Sequence, residues 1–169
     1  PSFLMRGNNQ LLGVLQFAAQ RSLEIAEHGL TFQPMKLTLD PDASTFSGWV
    51  KDYIKAIAAD PSLVLSYDIE TPFKQGRDEE GIIKEDREDY NILRCSFSYR
   101  HGEAVSIPWQ AEYRAALEAI FSSSGTKTGW NLGYDTPRIR AQMPVCGIQA
   151  DAMWAWHVLN SALPKSLGF

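Results

Sequence analysis

A short apolar stretch that ends in two acids places the strongest limit on how this chain can fold. The stretch is Leu63–Thr71, with the sequence LVLSYDIET. Its bulky and β-branched residues predict a buried strand, and the turn residues Asp60–Ser62 predict where that strand starts. Because side chains alternate along a strand, Asp68 and Glu70 should point to the same face, with Cα atoms about 6–7 Å apart.

Two carboxylates at this spacing repel each other unless a positive charge lies between them. A hard divalent cation such as Mg²⁺ or Mn²⁺ suits carboxylate oxygens and would remove the repulsion. Without metal, we expect the pKa of at least one clustered acid to lie above its ordinary value. The alternative is an ordinary strand end at which both acids are solvated. A glycosidase pair fits poorly, because Asp68 and Glu70 would be too similarly placed for separate acid and base roles.

Composition narrows the classes of protein that can carry such a site. The 169 residues are enough for one domain with a core, and 44% hydrophobic and 21% charged residues are typical of globular chains. The net charge of −4 gives no general basic field, although a nuclease can combine a local basic groove with an acidic metal site. We expect buried, reduced thiols at Cys95 and Cys146 and a cytoplasmic protein. The three histidines are too scattered for zinc, and no stretch has transmembrane length or resembles a signal peptide.

Hydrophobic periodicity predicts an α/β fold with a mixed sheet and helices on its faces. The charged residues 72–90 are predicted to form a solvated surface excursion or, alternatively, a mobile flap beside the acids. Helices are predicted at 9–28, 47–59, 110–122, 132–143 and from Asp151 onward, strands at 63–71, 91–99, 104–109 and 126–130, an extended connector at 30–43 and a link or further strand at 145–150.

A second polar stretch follows a predicted strand later in the chain. Residues Gly129–Asp135 have the sequence GWNLGYD, and a proline two residues later fits the first turn of a helix. In such a helix Asn131 and Asp135, four residues apart, lie on one side and face the strand ends. We expect Asp135 to converge there with the two acids of the first stretch.

These two stretches resemble the first two motifs of a known superfamily. Asp68–Thr71 resembles the first motif of the DEDD 3′–5′ exonucleases, a proofreading superfamily with a ribonuclease H-like fold, and Gly129–Asp135 resembles the second. The order of strand, hairpin, helix and strand between the motifs matches as well. Asp151–Met153 resembles the Asp-x-Met stretch in proofreading domains of DNA polymerase I-like (family A) enzymes. The resemblance covers about residues 60–169.

The resemblance implies a two-metal-ion exonuclease that hydrolyses phosphodiester bonds at DNA 3′ ends. It implies Mg²⁺ or Mn²⁺ as cofactor, single-stranded DNA ends as substrate and a polymerase domain that follows in a larger replication protein of a bacterium or a phage-infected host. The aromatic residues beside the second motif, Trp130 and Tyr134, could stack on bases or belong to the core. The implied catalytic metal ligands are Asp68, Glu70 and Asp135, and the implied substrate-binding residues are Thr71, Asn131 and Tyr134.

One part of the superfamily pattern is missing. A third motif, a Tyr or His followed by a fourth acid on a later helix, is expected, but the only acid after Asp135 is Asp151. His157 has Ala162 at the matching offset, so it does not complete the motif. We expect the fourth acid beyond Phe169, which would make 46–169 an incomplete exonuclease domain with weak or no activity. The alternative is a non-catalytic ribonuclease H-like module that binds nucleic acid or supports a polymerase domain.

The first residues carry a second resemblance. Pro1–Gly7, followed by a helix, resembles the tail of a family 4-type uracil-DNA glycosylase. Phage polymerases exist in which a glycosylase-like domain precedes the exonuclease domain. Residues 1–45 are therefore predicted to be an N-terminal helix and linker at the end of such a domain. A generic amphipathic helix after a Pro-Ser start is the alternative.

Overall fold

A six-stranded mixed sheet forms the centre of the part of the chain that the computed structural model describes, which is residues 10–29, 34–72 and 90–159. The strand order is β1-β4-β3-β2-β5-β6, and β3 alone runs antiparallel to its neighbours. The predicted mixed sheet with flanking helices is confirmed. The strands are β1 Lys36–Leu39, β2 Val64–Glu70, β3 Arg94–Arg100, β4 Glu103–Pro108, β5 Thr126–Gly129 and β6 Gln149–Asp151; the helices are α1 Gln10–His28, α2 Ala43–Ala59, α3 Arg114–Ser122, α4 Leu132–Arg140 and α5 Ala152–Leu159.

The chain divides into two compact units. One is Met35–Asp151, which holds the whole sheet with α2, α3 and α4. The other combines Pro1–Pro34 with Ala152–Phe169, and its described elements are α1 and α5. The proposed domain boundary near residue 45 stays a prediction. The predicted surface excursion at 72–90 lies outside the described residues except for its first and last residue. The glycosylase-like stretch at 1–7 lies wholly outside them.

Alternation along β2 divides the sheet into an apolar face and a polar face. Leu65, Tyr67 and Ile69 are buried, whereas the residues between them are exposed. The register places Tyr67 beside Phe97, so the apolar face continues across β3 and β4. Helices α2 and α3 supply the other half of this core, with Phe46, Tyr53, Leu117, Ile120 and Phe121 buried against it.

Two segments differ from their prediction for reasons of hydrogen bonding. Helix α2 begins at Ala43 rather than near Ser47, because the Asp42 carboxylate accepts the Thr45 amide at 2.8 Å and caps the first turn. The predicted connector contains strand β1, which pairs in parallel with β4. Pairing with a strand some 65 residues away in sequence is a tertiary effect that local pattern could not predict. Cys146 also differs, since it is exposed, whereas Cys95 is buried as predicted and both thiols are free.

A buried lysine fixes the loops around β5. Lys127 is fully buried, and its Nζ donates to the carbonyl oxygens of Ser123 at 2.8 Å, Cys146 at 3.0 Å and Gly125 at 3.2 Å. Burial disfavours the ammonium charge and lowers the pKa of Lys127 to about 8. The side chain therefore joins the loop before β5 to the segment that leads into β6.

The end of β5 passes very close to β2 at Gly129. A Cβ atom at this position would lie 2.6 Å from the carbonyl oxygen of Tyr67 and 2.5 Å from Cδ2 of Leu132. Backbone oxygen cannot move aside as the end of a flexible side chain can. A glycine is therefore required where the chain leaves the sheet for α4.

We predict that Gly129→Ala lowers the free energy of unfolding by about 1–3 kcal/mol, because β5 must shift away from β2 to admit the methyl group. Chemical denaturation monitored by tryptophan fluorescence measures the change. Gly48→Ala is the matched control, since a Cβ there meets nothing within 4 Å in the exposed part of α2. That control should raise stability by about 0.5–1 kcal/mol. Equal effects of the two variants would refute the close contact.

Candidate active site

Polar residues meet where five parallel strands end. Because only β3 is antiparallel, the carboxyl ends of β2, β5 and β6 lie at one edge of the sheet. This edge holds Glu70 at the end of β2 and Asp151 at the end of β6, and Asn131 two residues after the end of β5. Open α/β sheets bind ligands outside the carboxyl ends of their strands. The acidic stretch of the sequence is thus at the edge where a ligand is expected.

Asp68 and Glu70 point to the same exposed face of β2, as predicted. Their register partners on β3 are Ser96 and Arg94. The guanidinium of Arg94 forms an ion pair with the carboxylate of Asp40, just after β1. The cation opposite Glu70 on β3 is thus already paired with another acid. Burial, together with the charge of Glu70, raises the pKa of Asp68.

Asp135 is the buried acid of the site. Its residue is 4% exposed, and Oδ2 has no hydrogen-bond partner among the described residues. Burial raises the pKa of Asp135 to about 7, and the negative charge of Asp68 contributes in the same direction. The Arg138 guanidinium opposes this shift, while Asp151 and Glu70 add smaller increases. The charges of three other carboxylates therefore act on Asp135.

The expected pKa increase is confirmed at Asp68 and Asp135, but its main cause differs from the prediction. Repulsion between acids was expected to dominate, whereas desolvation is the larger contribution for both groups. Asp135 is desolvated because α4 packs its inner side against the sheet, burying Leu132, Thr136 and Ile139 as well. This packing was not visible in the local sequence.

The acids of the site offer the oxygen ligands that a hard cation prefers, but their side chains are not arranged around one point. The available ligands are carboxylate oxygens. The buried Oδ2 of Asp135 accepts no hydrogen bond from the described residues, so a cation could bind this oxygen without displacing a donor. Within residues 10–29, 34–72 and 90–159, however, no three acidic, histidine or cysteine side chains are grouped closely enough to hold a metal ion. The charges of Asp68 and Glu70 thus act on Asp135, but the three side chains do not form a three-ligand group.

The predicted substrate-binding residues fall into two groups. The hydroxyl groups of Thr71 and Tyr134 share a hydrogen bond of 2.8 Å, which joins the end of β2 to α4. The side chain of Asn131 is exposed and makes no capping bond to α4, while its backbone has the left-handed φ of 63°. Trp130 is half-buried. The structure therefore brings Thr71 and Tyr134 together beside the acids and leaves the Asn131 side chain turned to solvent.

Arg138 is a residue of the site that the sequence motifs did not predict. It is buried, its guanidinium carbon lies 3.4 Å from the centroid of the Tyr134 ring, and Nη1 donates to the Tyr134 carbonyl oxygen at 2.8 Å. A cation this close to an aromatic face is favourable, particularly when it is desolvated. The available signal was its place in the same predicted helix, three residues after Asp135 and four after Tyr134.

The sequence matches no protein-family model and no curated protein. Within the described ranges, none of the helices combines the length and the apolar content that crossing a bilayer requires.

We predict that Asp135→Asn stabilises the protein at neutral pH and flattens its pH dependence. The folded pKa of about 7 lies above the unfolded value of 3.8, so the folded state binds more protons between these values. Stability of the parent should therefore fall as pH rises from about 4 to 7. At pH 8 the variant should be more stable by roughly 1–3 kcal/mol.

Denaturation curves at pH 5, 6.5 and 8 measure this effect. Asp52→Asn is the control, because Asp52 is an exposed acid on α2. The control should leave the slope of stability against pH unchanged. If the stability of the parent rises between pH 5 and 8, and both variants show the same rise, the raised pKa of Asp135 is contradicted.

Proposed function

We propose that this chain carries a metal-dependent 3′–5′ DNA exonuclease domain of the DEDD superfamily, with a ribonuclease H-like fold. We place it in a larger DNA polymerase I-like, phage-type protein that proofreads during DNA replication. The strand order β4-β3-β2-β5-β6, with β3 alone antiparallel, is compatible with that fold but also with other mixed sheets. The support for the function must therefore come from the site.

One observation carries the proposal. The two exposed acids of β2, Asp68 and Glu70, lie at the same sheet edge as the buried Asp135, and their charges raise its pKa. These acids are costly for the metal-free protein, because Arg138 offsets only part of the desolvation and repulsion at Asp135. Binding a divalent cation would turn this cost into affinity.

The residues of the site have distinct roles in this proposal. Asp68, Glu70 and Asp135 would hold Mg²⁺ or Mn²⁺, which when bound activates water and stabilises the charge that develops on a scissile phosphate. Asp135, fixed in α4, would set the position of the exposed pair by attraction through the shared cation. The paired hydroxyl groups of Thr71 and Tyr134 offer hydrogen bonds to a DNA strand at the same edge.

Single-stranded DNA ends are the proposed substrate. The buried carboxylate lies below the surface of the edge, so a 3′-terminal nucleotide must be separated from a complementary strand to reach it. The half-buried ring of Tyr134 has one face occupied by the Arg138 guanidinium, and its other face is the proposed platform for a base. Trp130 is the second aromatic candidate for stacking at this edge.

A non-catalytic ribonuclease H-like module is the second candidate function. The specific observation in its favour is that the described acids are not grouped as a three-ligand site. In such a module the edge would bind a strand or support a polymerase domain, and the acids would have no metal to hold.

Metal binding tests the proposal directly. Free Mn²⁺ measured by electron paramagnetic resonance should fall when the protein is added, and Asp68→Asn should weaken binding by about tenfold or more. A 3′-labelled single-stranded oligonucleotide should release nucleotides slowly in Mn²⁺ and not in Asp68→Asn. The superfamily pattern expects a fourth carboxylate on a later helix, and the sequence after Asp135 has one acid, Asp151, which is not at the expected position. The rate should therefore be low.

Asp52→Asn serves again as the control, and it should bind Mn²⁺ and release nucleotides as the parent does. A parent that binds oligonucleotide but no Mn²⁺ at millimolar concentration would favour the non-catalytic module. A parent that binds neither would remove both candidates.

Stacking at Tyr134 has its own test. We predict that Tyr134→Ala weakens binding of a fluorescent single-stranded oligonucleotide by about five- to 150-fold, since one aromatic platform for a base is worth roughly 1–3 kcal/mol. Tyr134→Phe keeps the ring and removes the hydroxyl bond to Thr71. It should retain most of the affinity. If Phe and Ala weaken binding equally, the hydroxyl rather than the ring is the important group.

A further inference from the structure

The chain reverses direction sharply between β5 and α4, at a residue in an uncommon backbone conformation. Asn131 has a φ of 63°, a left-handed conformation that asparagine adopts more readily than most residues. Its carbonyl oxygen accepts the amide of Tyr134 at 2.8 Å, which closes the first turn of α4. The backbone of Asn131 therefore fixes where α4 begins and which way it points.

The amide of Asn131 has a partner from a different strand. It donates to Oδ1 of Asp151 at 3.1 Å, across a separation of 20 residues. The register places Asp151 opposite Gly129, the last residue of β5. A carboxylate at the end of β6 is thus held against the residue that turns the chain out of the neighbouring strand.

We propose that Asp151 is a positioning residue that fixes the start of α4 through the Asn131 amide, and thereby the position of Asp135 relative to Asp68 and Glu70. Asp135 lies in the first turns of α4, four residues after Asn131. The start of α4 therefore sets where the backbone of this buried carboxylate stands relative to the sheet. The catalytic consequence rests on the proposed function, whereas the structural role does not.

Asp151 could instead serve the site as one more metal ligand, and the chemistry of the two roles differs. A positioning role needs an oxygen acceptor for the Asn131 amide, which an asparagine side chain also provides. A ligand role needs the negative charge, which asparagine lacks. Asp151→Asn and Asp151→Ala therefore separate the two roles.

Amide hydrogen exchange measured by NMR on the metal-free protein tests the positioning role without reference to activity. In Asp151→Ala the Asn131 amide should exchange about tenfold faster or more, because a charge-assisted bond is lost. In Asp151→Asn it should exchange within about threefold of the parent rate. Unchanged exchange in Asp151→Ala would overturn the proposal.

A second variant keeps the test decisive if Asp151→Ala folds poorly. Asn131→Gly retains the backbone amide and tolerates the left-handed conformation, so exchange of the residue-131 amide should stay slow. Combining it with Asp151→Ala should then accelerate exchange by about the same tenfold factor. An amide that exchanges quickly in Asn131→Gly alone would show that the carboxylate does not hold it, against the proposal.

Mn²⁺ titration separates this proposal from the proposed function. Asp151→Asn should bind Mn²⁺ within about threefold of the parent, and Asp151→Ala about tenfold more weakly, because Asp135 is displaced. If both variants lose Mn²⁺ equally while the Asn131 amide stays protected in both, Asp151 is a ligand and the positioning proposal is wrong. If the parent binds no Mn²⁺ but exchange responds as expected, the proposed function fails and the positioning role stands.

Discussion

The close parallel approach of β5 to β2 is the constraint on which the rest of the site depends. Gly129 allows the backbone of β5 to pass the Tyr67 carbonyl oxygen at a distance that no side chain would permit. Lys127, two residues earlier, joins the loop before the same strand to the segment that leads into β6. Because β5 is fixed in this way, α4 begins beside the acidic end of β2, and β6 completes the edge.

Burial of one carboxylate is the main energetic cost of this arrangement. Asp135 is removed from water beside three other acids, and Arg138 offsets only part of that cost. Groups with strongly perturbed pKa values are frequent at functional sites, although structural charge networks also produce them. The same helix also contributes the Tyr134 ring and its bond to Thr71, so α4 carries most of the distinctive chemistry of the edge.

The exposed and buried acids differ in how they could respond to a ligand. Asp68 and Glu70 lie on the exposed face of β2, where fewer contacts restrict the choice of rotamer than at the buried Asp135. Asp135 is fixed by the packing of α4 and by the tether between Asn131 and Asp151. In the proposed metal site, one rigid and two more exposed carboxylates need not be grouped before a cation binds, which is compatible with the lack of a three-ligand group among the described residues.

The sequence by itself determined the main elements and the common face of Asp68 and Glu70, because periods of two and about four residues are local properties. It also placed Asn131 and Asp135 at the start of one helix, although Pro137 lies inside that helix rather than in its first turn as predicted. Only the tertiary structure decided the pairing of β1, the desolvation of Asp135 and the bond from Asn131 to Asp151. Most of these depend on which distant segments pack together, and burial and non-local hydrogen bonds are set by that packing rather than by local sequence pattern.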